Sequence, residues 1–231
     1  MQVKNLTLKL IRKLKHNNDV TSFIFQRPNN LQYKAGQYIV MYLDVNDDPE
    51  GPSRPFTLAS SPTEDILMIT THIRDTPFKR RLDSLDIGIE VNARGPLGRF
   101  ILQEDADHMV MIAGGIGITP FRSMIRYATD KMLNNKITLL YSNNDSRFPH
   151  KDEFDAMISM NKNLKVVYTV TGIDLEWKGR VGRINEAMIR EYCDLDSLFY
   201  ICGPPGMVDG ISKMLKDIGA KKILTEGFIG Y

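Results

Sequence analysis

Five consecutive apolar residues, Met109-Val110-Met111-Ile112-Ala113, run straight into Gly114-Gly115-Ile116-Gly117-Ile118-Thr119-Pro120. A short continuous apolar run closed by glycines is the pattern of a strand buried on both faces of a parallel sheet. Parallel neighbours can be reached only through crossovers, so helices must alternate with strands from here on. The chain obliges, with strand patterns at 137–141, 164–170, 198–201 and 222–225. Helical patterns fall between them, from the glycine turn to about residue 131, at 151–160 and 185–191, and from Cys202-Gly203-Pro204-Pro205-Gly206-Met207 to 217. The reading is a doubly wound α/β domain. Thr119 and Pro120 read as the N-cap and first residue of its first helix. Glycines between a buried strand and a helix let the backbone approach a pyrophosphate, although 114, 115 and 117 do not follow G-x-G-x-x-G spacing. Such folds bind ligands at the carboxyl ends of their strands, where the glycine run, Ser142 and Cys202 all fall. Taken singly, Cys202 reads as an ordinary buried thiol.

The first hundred residues have a different period. Leu6, Leu8 and Leu10 alternate with polar residues up to Asn17-Asn18-Asp19, and Val20 to Phe25 returns as the second arm of a hairpin. Further strands read at 36–43, at Arg54-Pro55-Phe56-Thr57, at 66–73, at 89–93 and at 100–102, the last two bracketing a turn at Gly95-Pro96-Leu97-Gly98. One short helix interrupts them, capped by Thr76 with Pro77 at its first position. About six antiparallel strands with one helix predict a small all-β antiparallel barrel over residues 1–104, ahead of the α/β domain at 105–231. In an extended strand Arg54 and Phe56 share one face and Thr57 takes the other. That strand can hold a phosphate, stack an aromatic ring and donate a hydroxyl hydrogen bond. Arg74 and the Thr76 helix start offer a second phosphate contact.

Composition narrows the class. With 30 basic and 28 acidic residues and a net charge of +2, the chain presents no field for nucleic acid. Lys79-Arg80-Arg81 and Lys221-Lys222 read as solvated faces. No apolar run approaches the roughly 18 residues needed to span a bilayer, so no membrane insertion is expected, and the alternating N-terminus is unlike a signal-peptide core. The expected location is cytoplasmic. Two cysteines, Cys193 and Cys202, and four scattered histidines make neither an iron–sulfur nor a zinc ligand set, so no metal is expected.

Ala35-Gly36-Gln37-Tyr38, Arg54-Pro55-Phe56-Thr57, Gly95-Pro96-Leu97-Gly98, the glycine run, Cys202 to Met207 and a terminal Glu226-Gly227-Phe228-Ile229-Gly230-Tyr231 occur in an order that resembles the ferredoxin–NADP reductase superfamily. The resemblance covers nearly the whole chain and implies a flavin-binding barrel followed by a nicotinamide-binding domain. By it, Arg54 would hold the flavin phosphate beside Pro55, Phe56 would lie against the isoalloxazine or ribityl, and Thr57 would donate toward flavin N5. His72, Ile73, Arg74 and Thr76 would line the pyrophosphate path, favouring FAD. Gly114, Gly115, Gly117, Ile118, Thr119 and Pro120 would take the pyrophosphate and ribose of NADPH or NADH. Cys202, with Gly203, Pro204, Pro205 and Met207, would border the nicotinamide. Phe228 or Tyr231 would cover the flavin face. The motif has Phe56 and Thr57 where the family usually has Tyr and Ser, which keeps the stack and the hydroxyl.

The implied reaction is hydride transfer from the nicotinamide to bound FAD, with Thr57, Cys202 and Glu226 as catalytic candidates and Glu226 relaying a proton. Electrons would then pass to a separate acceptor protein, with Lys79, Arg80 and Arg81 as candidate docking residues. Two other readings stay open: a free flavin reductase in which flavin dissociates, and a redox-sensing subunit of a larger complex. Between the nicotinamides the signals conflict. Asp145 suits the ribose hydroxyls of NADH, whereas Ser142 and Arg147 favour the 2′-phosphate of NADPH, and the reading leans to NADPH through Ser142 and Arg147.

Overall fold

The computed structural model describes residues 2–29 and 31–228. The first sheet contains β1 (Lys4–Lys15), β2 (Val20–Gln26), β3 (Tyr38–Tyr42), β4 (Ser53–Thr57), β5 (Ile66–His72) and β6 (Glu90–Leu97), ordered β4-β3-β6-β1-β2-β5. All its pairings are antiparallel, and the sheet curls into a nearly closed barrel. Leu6, Leu8 and Leu10 of β1 point inward at every second position, against Phe23, Phe25, Ile39 and Met41. The helix α1 (Pro77–Asp83) closes one end with Phe78 and Leu82, and Thr76 is its N-cap as expected, accepting from Lys79 N at 3.2 Å.

Two sequence expectations fail at the barrel's end. Gly95-Pro96-Leu97 is the end of β6, not a turn. Gly95 is there because β3 crosses it closely: a Cβ on it would lie 2.7 Å from Ile39 Cγ2. Residues 100–102 form no strand, because Phe100 and Leu102 turn away from the barrel and join the core of the second sheet. Phe100 packs edge-on against Tyr200, with centroids 5.4 Å apart.

The second sheet is parallel. It holds β7 (His108–Gly114), β8 (Lys136–Asn143), β9 (Leu164–Val170), β10 (Arg180–Val181), β11 (Leu198–Gly203) and β12 (Lys222–Gly227), ordered β10-β9-β8-β7-β11-β12. Helices α2 (Ile118–Asp130) and α3 (Lys151–Met160) pack on one face, with Phe121 and Phe154 in its core, and α4 (Glu186–Tyr192) and α5 (Pro205–Asp217) on the other. The strand order reverses between β8 and β11, on either side of β7, so the switch point of the sheet lies at the carboxyl ends of β7 and β11. The two-residue β10 left no pattern to read. Thr119 is not a cap. A 3-10 turn at Gly115–Gly117 runs directly into α2, so the helix starts at Ile118 and the Thr119 hydroxyl donates instead to Ile116 O at 3.1 Å. Pro120 is tolerated in that first turn because its missing N–H would have had no intrahelical partner.

A buried polar seam joins barrel to sheet. Arg122 of α2 is 3% exposed. Its guanidinium donates to Ala59 O at 2.8 Å, to Glu64 at 2.7 and 3.0 Å, and to Glu153. Glu153 also holds His150 Nδ1 at 2.7 Å, and the seam continues through Thr70, Ser22 and His16. Ser123 Oγ donates to Ser60 O at 2.6 Å. The segment that follows Thr57 is therefore bound to the helix that follows the glycine turn.

Candidate active site

On the barrel side, β4 presents Arg54 and Phe56 on one face, as the alternation requires. The Arg54 guanidinium lies 5.1 Å from the Phe78 ring centroid. Its nitrogens are engaged by its own loop: Nη1 with the carbonyls of Glu50, Gly51 and Ser53 at 3.0, 2.9 and 2.7 Å, Nε with the Glu50 carboxylate at 3.0 Å, and Nη2 with Asp48. Phe56 is 6% exposed and belongs to the barrel core, 6.0 Å from Phe78. Pro55 is exposed, and Thr57 is buried at the strand's end.

Lys79 is the residue that sequence reasoning misplaced. Instead of lying on a solvated face, its ammonium sits 4.7 Å over the Phe56 ring and donates to Thr71 Oγ1. Among the described residues no carboxylate pairs with it. Burial first, then the nearby Arg54 and Arg74 charges, lower its pKa to about 8. A half-buried ammonium crowded by two guanidiniums is a place for an anion. Its one sequence signal is position: Lys79 follows the inward-facing Phe78, beside the helix's apolar stripe, and helical side chains lean toward the N-terminus. Nearby, His72 faces Asp19 at 3.2 Å, Ile73 packs against the barrel core, and Arg74 is exposed. The Thr76 hydroxyl oxygen is used by the cap. Arg80 is exposed and paired with Asp75, and Arg81 is exposed.

On the sheet side, the two expected loops meet. A Cβ on Gly117 would lie 2.3 Å from Cys202 O and 2.7 Å from Gly203 N, and one on Gly114 would lie 2.2 Å from Met207 Sδ and 3.2 Å from Pro204 Cδ. Gly115 has φ +53°, open to glycine at little cost. Pro205 is the first residue of α5 and is exposed, as is Pro204. Ile118, Thr119 and Pro120 are buried beneath the turn. Cys202 is fully buried in the core, and burial, with Glu226 beside it, pushes its thiol well above the ordinary range. Glu226 is half-buried next to it on β12, its own pKa raised by burial. Phe228 packs against the cluster containing Cys202, and its N–H donates to Gly203 O at 3.2 Å. Tyr231 lies outside the described residues. Ser142 is buried near the end of β8, whereas Arg147 is exposed and doubly bonded to Asp145 through Nε at 3.1 Å and Nη2 at 2.5 Å.

The glycine turn touches β5 of the barrel, so the switch point of the sheet abuts the barrel. Both halves also match known families. Residues 6–101 match the family described as "Oxidoreductase FAD-binding domain", and residues 111–213 the one described as "Oxidoreductase NAD-binding domain". The chain belongs to the ferredoxin–NADP reductase superfamily.

Members of the ferredoxin–NADP reductase superfamily share this fold across most of the chain. It is 29% identical over 230 residues to NADH-cytochrome b5 reductase 1 of Mortierella alpina, covering 93% of this chain and 75% of that protein. To the probable flavin reductase of Photobacterium leiognathi it is 25% identical, covering 90% and 89%. The ferredoxin NADP+ reductase of Neisseria gonorrhoeae, solved with FAD and NADP, superposes with a TM-score of 0.83 at 20% identity, covering 97% and 98%. Amycolatopsis cytochrome P450 reductase GcoB superposes at 0.85 and 23% identity, covering 98% and 70%. As a ferredoxin–NADP reductase relative, this chain is an NAD(P)H-dependent flavoprotein reductase that uses FAD and a nicotinamide dinucleotide. The residues present fit both groups: Lys79, with no carboxylate partner among the described residues, lies beside Arg54 and Arg74 and suits a phosphate, and the glycine turn, where a Cβ on Gly115 would meet only Asn143 Oδ1 at 4.0 Å, leaves its backbone open to a pyrophosphate.

Proposed function

We propose that this reductase takes electrons from NADH in preference to NADPH and passes them, through FAD, to a separate small redox protein. The domains divide at 104/105, with the flavin on 1–104 and the nucleotide on 105–231. The observation that carries the reading is the joint itself: Ser60, three residues beyond Thr57, is hydrogen-bonded to α2, whose start is the glycine turn. That bond holds the Thr57 end of β4 and the nucleotide cradle in one frame, as a direct transfer between two stacked rings needs.

When bound, the nicotinamide supplies a hydride and the flavin accepts it. The chain's own part is position and charge. Lys79 and Arg54 would neutralise the flavin phosphate, Thr57 would orient the reacting edge, and Gly114 to Gly117 would admit the dinucleotide backbone. Cys202 would border the nicotinamide, Phe228 would cover the flavin face, and Glu226, raised by burial, can hold a proton at its carboxyl oxygen. NADH preference rests on Asp145. It lies just past the second strand of the sheet, where an acid binds ribose hydroxyls, and it occupies the Arg147 guanidinium that a 2′-phosphate would require. A protein acceptor is supported by the relatives named NADH-cytochrome b5 reductase. Dissociable flavin is the second reading, favoured by the engagement of Arg54 with its own loop and by the relative named a flavin reductase.

Anaerobic stopped-flow reduction tests this. NADH should bleach the bound flavin at least tenfold more efficiently than NADPH, and the reduced protein should then reduce a cytochrome b5. Thr57→Ala should slow bleaching while flavin affinity stays within about twofold. NADPH preference in the wild type would refute the assignment of Asp145, and no turnover with any protein acceptor would leave the dissociable-flavin reading.

The pH dependence of flavin affinity reports on Lys79. A phosphate binds the ammonium form, so affinity should be level below about pH 8 and fall as pH rises through the value of about 8 held by the lysine. Fluorescence titration between pH 6.5 and 9.5 would show the decline, and Lys79→Met should weaken binding and abolish the slope.

A further inference from the structure

The Asp48 carboxylate is placed as an anion would be. Its side chain is 1% exposed. One oxygen accepts from Arg54 Nη2 and from Glu50 N at 3.0 Å, and the other accepts from Phe78 N at 2.9 Å. These hydrogen bonds outweigh burial and hold the carboxyl below its usual range. The remaining Arg54 donors go to the carbonyls of Glu50, Gly51 and Ser53 and to the Glu50 carboxylate. A bidentate grip on a phosphate needs two parallel N–H donors from one edge of the guanidinium. Both edges of Arg54 are committed to the 48–53 loop.

We propose that Asp48 is an internal competitor for the flavin phosphate, and that it sets how tightly this protein holds phosphate-bearing flavins. This rests on the reading that Arg54 and its surroundings are the flavin site. Phosphate enters by displacing a carboxylate that already carries a full negative charge and satisfies the same donors. The gain is then the difference between two charge-assisted contacts, where most phosphate sites gain a whole one. Among the described residues no carboxylate ion-pairs with the nearby Lys79, which gives the phosphate its remaining attraction. The flavin phosphate therefore adds less affinity here than a guanidinium site normally provides.

Fluorescence titration of flavin-stripped protein with FMN and riboflavin, which differ only by the phosphate, tests this. In the wild type FMN should bind within about tenfold of riboflavin, less than the contribution expected of an uncommitted charged site. A ratio of several hundred would overturn the proposal without any variant. In Asp48→Asn, FMN and FAD should tighten by about tenfold while riboflavin is unchanged. Weaker FMN binding in that variant would mean that Asp48 positions Arg54 for the phosphate, and an equal gain for riboflavin would mean a loop effect; either overturns the proposal. Stabilisation by inorganic pyrophosphate gives an independent readout. The rise in melting temperature should be larger for Asp48→Ser than for wild type, and an equal rise counts against competition. If no flavin binds either protein, the flavin site itself has been misassigned and this proposal falls with it.

Discussion

Arg122→Ala is expected to cost about 3 kcal/mol of stability, the low end for breaking a buried ion pair, because the guanidinium is buried but its carboxylate partners are only partly so. Among the described residues Glu64 would keep only the Ser61 N–H and Glu153 only His150, and the loop carbonyl of Ala59 would lose its donor. Denaturant unfolding should show the loss as a lower midpoint, and Arg122→Lys should recover only part of it, since an ammonium cannot match the fork geometry. The acid limb should move as well. Burial and the adjacent His150 lower His16 to about 4, so its unfolded form takes up a proton first and stability falls as pH drops from 6.5 toward 4. In Glu153, burial is outweighed by the His150 hydrogen bond and the Arg122 charge, which lower the carboxyl to about 2. Its contribution is present above 4.5 and is lost as pH falls through about 2. Without Arg122 that loss should begin at higher pH. A variant as stable as the wild type at neutral pH would mean that the seam does not hold the two sheets together.

Gly117→Ala should leave flavin affinity intact and slow reduction by the nicotinamide about a hundredfold, the usual cost of displacing a reacting group by roughly 1 Å. The added Cβ would meet Cys202 O at 2.3 Å, Cys202 C at 2.5 Å and Gly203 N at 2.7 Å. These are all backbone atoms and cannot swing aside. The end of β11 and the glycine turn must therefore part, and with them the nucleotide cradle. Gly210→Ala, on α5 with nothing within 4 Å of the new methyl, is the matched control and should retain wild-type rates. Stopped-flow bleaching by NADH reads the rate and flavin fluorescence reads the affinity. Wild-type bleaching in Gly117→Ala would remove the glycine turn from the nucleotide path.

The residues that announce themselves locally were legible without coordinates. Alternation in Leu6, Leu8 and Leu10, the apolar run 109–113 and the Thr76-Pro77 start each specify an element through its own period or cap. The order of those elements was enough for barrel followed by doubly wound sheet, because crossover and hairpin rules leave few alternatives. Thr119 misled because capping was read from two residues, whereas the preceding glycine turn had already begun the helix. Phe100 and Leu102 misled because an apolar pair looks the same whichever core it joins.

Other properties depend on what long-range packing brings together. Lys79 reads as a surface lysine until α1 folds it over Phe56, where burial and two guanidiniums lower its pKa to about 8. Asp48 and Arg54 are six residues apart in sequence, yet only the closure of the loop between them on Phe78 N sets the Asp48 carboxylate against the guanidinium. Arg147 promised a phosphate contact in sequence and is taken by Asp145 in space. Periodicity and turn chemistry are short-range and survive in the linear chain, so the chain alone determined the barrel and the doubly wound sheet, while the flavin and nicotinamide chemistry followed from the resemblance that its ordered motifs carry. Which charges are paired, buried or left for a ligand is set by desolvation and by partners up to tens of residues away, and that was decided only by the tertiary structure.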